Sequence, residues 1–141
     1  MVLISDAIHH KFASIEHAVK RIEEVYFASS HFENDLTRQD SVIFNLQRAC
    51  EASIDIANIL NKHHKTGVPQ SGVDSFEQLK KVGLLSAQLA DNLQKMVGVR
   101  DIAVSDYQNL NLERVKHVVE HKLSELSDFI EEVKQQQSTL D

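Results

Sequence analysis

Apolar residues recur every three or four positions along most of this chain. Ile8, Phe12, Ile15, Val19, Ile22 and Tyr26 step in this way between about Leu3 and Ala28, tracing one face of a helix. The stretch "SSHFENDLT" interrupts the stepping. Thr37, three residues ahead of Asp40, forms a capping-box variant with a short acid. It predicts a second long helix over roughly Arg38 to His64, with Ile43, Leu46, Cys50, Ile54, Ala57 and Leu60 inward. "KHHKTGVPQSGVD" carries the only proline and two of the four glycines, and so reads as a loop. Ser75 with Gln78 opens a short helix that stops at Gly83. Ser86 caps a fourth helix carrying Leu89, Leu93, Met96 and Val97. Asn111 caps a last one from Leu112 to Gln136, whose inward stripe is Leu112, Val115, Val119, Leu123, Leu126, Ile130 and Val133.

No run alternates with the period of a strand. The pattern therefore predicts an all-α fold: an up-and-down four-helix bundle with an additional short helix, in a single domain spanning residues 1–141. Gly98 lies inside the fourth helix, where glycine costs about 1 kcal/mol. Its presence predicts a close backbone approach or a local bend.

Charge and composition narrow the chemistry. The formal net charge is −6, so this is no generic phosphate-coating protein; any nucleic-acid contact must be made locally by a few placed cations. A single cysteine excludes an internal disulfide framework. The N-terminal apolar run is too short for a membrane span or a signal segment, which points to a soluble cytoplasmic protein with no membrane partner. Eight histidines invite a metal hypothesis. His117 and His121, flanked by Glu113 and Glu125, share a helical face, but that face turns away from the Val115–Val119–Leu123 stripe and reads as solvated polar surface. The pairs His9–His10 and His63–His64 read as surface too, so no metal site is expected. Cys50 falls on an apolar stripe and reads as a small buried hydrophobe. The glycine spacing fits no phosphate loop, and no serine sits in a nucleophile elbow.

One stretch concentrates polar groups in an otherwise plain pattern: "MVGVRDIAVSDY", residues 96–107. Arg100 follows Met96 and Val97, so its stem leaves a partly buried surface. At about 100° per residue, Arg100 and Tyr107 share a face if the helix persists, whereas Ser105 lies about 140° from Arg100. The two converge only through side-chain reach, a bend or a second subunit. The plainer reading is an arginine paired with Asp101 or Asp106 at a helix end.

"KMVGVRDIAVSDYQNLN" resembles the signature segment of HEPN-domain toxins, in the HepT branch that pairs with a minimal nucleotidyltransferase antitoxin. The family pattern is Arg-x4-His-x-Tyr, with a polar residue after the arginine. Arg100 matches the arginine, Asp101 the polar follower and Tyr107 the tyrosine; "QDSVIFNLQRACEASIDIANIL" is similar to the family's second helix. The resemblance implies a HEPN-like helical domain over the whole chain and a metal-independent endoribonuclease without a cofactor. It also implies a homodimer whose two motifs face one cleft, and an antitoxin that silences the toxin by moving AMP from ATP onto Tyr107. One position departs: Ser105 stands where the family has histidine. Serine does not titrate near neutral pH, so the departure predicts a weak or inactive ribonuclease. Arg100, Asp101 and Ser105 are thus the candidate catalytic positions. The alternatives are a non-enzymatic helical binding module for a nucleotidyltransferase or a nucleotide, and a purely structural bundle.

Overall fold

The computed structural model describes residues 4–105 and 111–136. Among these residues there are six α-helices and a single 3₁₀ turn, and no strand. The helices are α1 (Ile4–Phe27), α2 (Leu36–His64), α3 (Gly72–Lys81), α4 (Ala87–Ser105), α5 (Leu112–His121) and α6 (Ser124–Gln136), with the 3₁₀ turn at Phe32–Asn34. The fold is all-α, as the apolar stepping predicts.

α2 is the central element because it is apolar on more than one face. Beyond the expected stripe it buries Val42, Ala49, Ala52 and Ile56, packing against α1 on one side and against α3 and α4 on the other. α1 contributes Ile8, Phe12, Ile15 and Ile22, with Val19 only half-buried. Phe76 of α3 meets Phe129 of α6 edge-to-face at 5.7 Å, both fully buried. This aromatic pair joins the short helix to the C-terminal one across the core. Among the described residues no helix is long and apolar enough to cross a membrane.

Two caps lie elsewhere than the sequence pattern suggests. α2 is capped by Asp35, whose Oδ1 accepts the Arg38 amide at 3.1 Å, and not by Thr37. This earlier start lets Arg38 pair with Asp35 at 3.0 Å and donate to the Val25 carbonyl at 2.9 Å, locking α2 to the end of α1. α3 is capped by Ser71, whose hydroxyl accepts the Asp74 amide at 3.1 Å, so "SGVD" belongs to the helix and not to the loop. Ser75 is buried inside α3, where its hydroxyl donates to Asn58 at 2.6 Å and its carbonyl accepts from Asn61 at 3.0 Å. Asn111 caps α5 as expected, accepting the Glu113 amide at 2.9 Å.

The C-terminal segment is broken where one helix was expected. α5 ends with Lys122 at its C-cap and α6 begins at Ser124. Neither glycine nor proline lies between residues 111 and 136. The two halves are held by different partners. On α5, Tyr26 donates to Glu120 at 2.6 Å and Lys116 pairs with Glu33. On α6, Glu132 receives both the amide and the hydroxyl of Ser86, and Gln136 donates to the Leu84 carbonyl. Gly98 does not bring the expected close approach: α4 runs unbroken through it, and a Cβ there would meet nothing within 4 Å. The close approach is instead at Gly72, where a Cβ would lie 2.6 Å from Ile54 Cδ1 and 3.3 Å from Val97 Cγ1.

Candidate functional site

α4 carries the singled-out residues on its C-terminal half. Its inward side is set by Leu89, Leu93, Met96, Val97 and Val99, all buried. That packing fixes the backbone at the next residue, Arg100, whose side chain is 19% exposed. Arg100 Nη1 donates to Asp101 Oδ1 at 3.0 Å, so the expected pairing of neighbours is present. The pair is unequal, because Asp101 is 54% exposed while the guanidinium is largely covered.

Among the described residues Arg100 Nε is buried and without a hydrogen-bond partner. A buried donor left open costs about 1–3 kcal/mol. The guanidinium is thus held at one nitrogen by a carboxylate and open at another, a state that an incoming oxyanion relieves. Arginine suits that task, since it stays charged and presents parallel donors to phosphate oxygens.

The middle of α2 backs this arrangement. Burial pushes the Cys50 thiol up to about 12; the Arg100 charge pulls it partly back, and Asp101 and Glu51 push it further up. Cys50 is 1% exposed and is the small buried hydrophobe that its stripe predicts. A thiol held protonated in this way is no nucleophile near neutral pH.

α4 persists through Ser105, its last residue. Arg100 and Ser105 are therefore separated by about 140° around the helix and about 7.5 Å along it. Within α4 the two do not share a face. Tyr107 and Asp106 lie outside the described residues.

The histidine pairs behave as surface groups. His117 and His121 are exposed with ring centroids 5.1 Å apart, and His63 and His64 stand edge-to-face at 5.0 Å. Among the described residues no three His, Cys, Asp or Glu side chains are grouped to hold a metal ion. The open Nε was missed by the sequence reading. Its only sequence signal is the apolar Met96–Val97–Val99 run that carries the arginine into the packed face.

Residues 15–133 match the family described as Ribonuclease HepT-like. Over 131 residues the chain is 52% identical to a Shewanella oneidensis protein named mRNA nuclease HepT, covering 93% of this chain and 98% of the relative. The fold matches, with a TM-score of 0.88, a tri-AMPylated Shewanella oneidensis HEPN toxin solved in complex with MNT antitoxin. That toxin is 52% identical, and the match covers 92% of this chain and 98% of that one. A crystal structure of a toxin–antitoxin with AMP-PNP gives a TM-score of 0.89, also at 52% identity and with the same coverage.

Proposed function

This chain belongs to the HepT-like ribonuclease family, and from that premise we propose that it is the toxin of a HEPN–nucleotidyltransferase toxin–antitoxin pair. Its site is that of a metal-independent endoribonuclease, impaired here because Ser105 occupies the histidine position. The single observation that carries the reading is the largely covered guanidinium of Arg100, open at Nε and one helix segment ahead of Ser105.

The chemistry divides among few groups. The RNA 2′-oxygen bonds to the adjacent phosphorus and the bond to the 5′-oxygen breaks, leaving a 2′,3′-cyclic phosphate and a 5′-hydroxyl. Arg100 holds the phosphate oxygens as negative charge builds on them. Asp101 holds Arg100 in place from the solvent side. One proton must leave the 2′-hydroxyl and one must reach the 5′-oxygen. A histidine at position 105 would move such a proton near neutral pH, and serine does not.

The polypeptide acts as a homodimer in this reading. Two copies facing one cleft bring Arg100 of one subunit toward position 105 of the other, which meets the separation within a single α4. The partner is the cognate minimal nucleotidyltransferase antitoxin, in the cytoplasm. It silences the toxin when the Tyr107 hydroxyl oxygen bonds to the α-phosphorus of ATP, pyrophosphate leaves and the hydroxyl proton passes to solvent. The added phosphate repels RNA and competes for Arg100. Mass spectrometry after incubation with the antitoxin and ATP tests this: AMP is expected on Tyr107 and absent from the Tyr107→Phe chain. Adenylation elsewhere with Tyr107 untouched would sink it.

Ser105 itself favours the second reading, a non-enzymatic module that binds the nucleotidyltransferase. Growth arrest on expression of this chain without the antitoxin separates the two, because only a working ribonuclease stops growth.

A further inference from the structure

The molecule has a second feature suited to RNA. α4 and α5 wall a cleft of about 450 Å³. Asn92, Lys95, Met96 and Val99 face it from α4, at the spacing of one helical stripe. From α5 come Glu113, Arg114, His117 and Val118, with Lys122 at the helix end. Its apolar lining is Met96, Val99 and Val118, each of which shows the cleft only a small patch of surface.

The charge at this cleft runs against that of the chain. Three cations and one carboxylate line it, on a protein of net charge −6. Lys95, Arg114 and Lys122 make no ion pair among the described residues; Lys20, Lys62 and Lys81 make none there either, and what sets the first three apart is that they line one cleft. The one acid, Glu113, lies 3.7 Å from Lys116. Unpaired cations around an apolar floor suit a ligand with both a charged backbone and a flat apolar face. A lone phosphate has no use for the floor, and a duplex hides its bases from it. The volume falls in the range of small-ligand sites and admits about one nucleotide.

The cleft is also well placed. Arg100 lies on α4, the helix that forms one wall of the cleft. Val99 faces the cleft and Arg100 follows it, about 100° round the same helix.

We propose that the α4–α5 cleft binds single-stranded RNA beside the cleavage site, with a base against Met96, Val99 and Val118 and with Lys95, Arg114 and Lys122 on the phosphates around it. The His117 ring at the lip offers a stacking face. The inference rests on the ribonuclease reading and adds to it where the substrate strand runs.

The test uses a fluorescent single-stranded RNA of about ten nucleotides, 2′-O-methylated throughout so that it cannot be cut. Anisotropy is followed as salt is raised. The triple reversal Lys95→Glu, Arg114→Glu, Lys122→Glu is compared with a charge-matched control, Lys20→Glu, Lys62→Glu, Lys81→Glu, on exposed cations outside the cleft. Three lost phosphate contacts should flatten the log–log salt slope by about 2 and weaken binding on the order of tenfold or more near 0.1 M salt. The control should keep the native slope. Should the reversal variant fail to fold by circular dichroism, the neutral set Lys95→Gln, Arg114→Gln, Lys122→Gln replaces it, with the same slope change expected.

Equal losses in cleft and control variants would overturn the inference, because a diffuse field and not a site would then be at work. A cleft variant that keeps RNA binding while losing the nucleotidyltransferase would overturn it too. If Arg100→Ala weakens binding and the cleft variant does not, the cleft falls while the ribonuclease reading stands. If the native chain binds no RNA at low salt, the ribonuclease reading itself fails.

Discussion

If position 105 holds the role proposed for it, replacing Ser105 with histidine should raise ribonuclease activity sharply. α4 runs through position 105, and serine and histidine have similar helix propensities, so the exchange should leave the melting temperature nearly unchanged. What changes is proton transfer. A placed general acid or base contributes about 10²- to 10⁴-fold, which corresponds to roughly 2.7–5.5 kcal/mol of barrier. On the proposed reading the gain must run through Arg100, whose buried Nε has no hydrogen-bond partner among the described residues and is there assigned to the phosphorane oxygens. In Arg100→Ala/Ser105→His the gain should therefore collapse toward the native level, since both residues act on one transition state. The assay is single-turnover cleavage of a quenched fluorescent RNA, followed across pH and repeated with a chelator. The Ser105→His rate should titrate near pH 6.5 or so, while the native chain's residual rate lacks that limb. The chelator should change neither. Equal, robust cleavage by both chains would refute the role given to position 105. A gain that survives Arg100→Ala would refute the role given to the arginine.

Gly72→Ala should destabilise the protein by about 1 kcal/mol in urea unfolding, because its Cβ meets Ile54 and Val97, and the added Ile54→Val change should recover part of that loss; a more stable Gly72→Ala would contradict the crowding. Tyr26→Phe should cost about 1 kcal/mol at neutral pH through loss of the bond to Glu120. Burial and the Glu120 bond raise the Tyr26 hydroxyl above its ordinary 10.0, so the stability it lends is complete below pH 10 and is lost as pH rises beyond. Melting curves should show that alkaline decline in the native chain and a shallower one in Tyr26→Phe. The bond from Lys116 holds Glu33 below its usual 4.5, and Gln94 and Lys80 do the same for Glu77. Their contribution is present above pH 4.5 and lost as pH falls below it, so Glu33→Gln/Glu77→Gln should flatten the acid decline in melting temperature.

Much of this was written in the order of residues. The stepping of Ile8, Phe12, Ile15 and Ile22, or of Leu46, Cys50 and Leu60, fixes helices and their buried faces, because a helix can bury only the residues that its period aligns. Arg100 emerging from an apolar run, and Ser105 standing where a resembling family has histidine, were equally legible. Other features had no local sign. The period of Val115, Val119, Leu123 and Leu126 continues smoothly across the break between α5 and α6, so only the competing ties to Tyr26 and Glu33 on one side and to Leu84 and Ser86 on the other mark it. Asp35 and Thr37 are both good caps, and the reach of Arg38 to the Val25 carbonyl decides between them. The cations of the α4–α5 cleft are spread over 28 positions in a chain of net charge −6, and only the packing of two helices brings them to one place. The sequence determined the main inward stripe of each helix, because that is dictated by each residue's own chemistry and its local period, while the second buried face of α2 came from the helices packed on it. The tertiary structure decided which polar groups meet, because that depends on partners that the chain's order does not bring together.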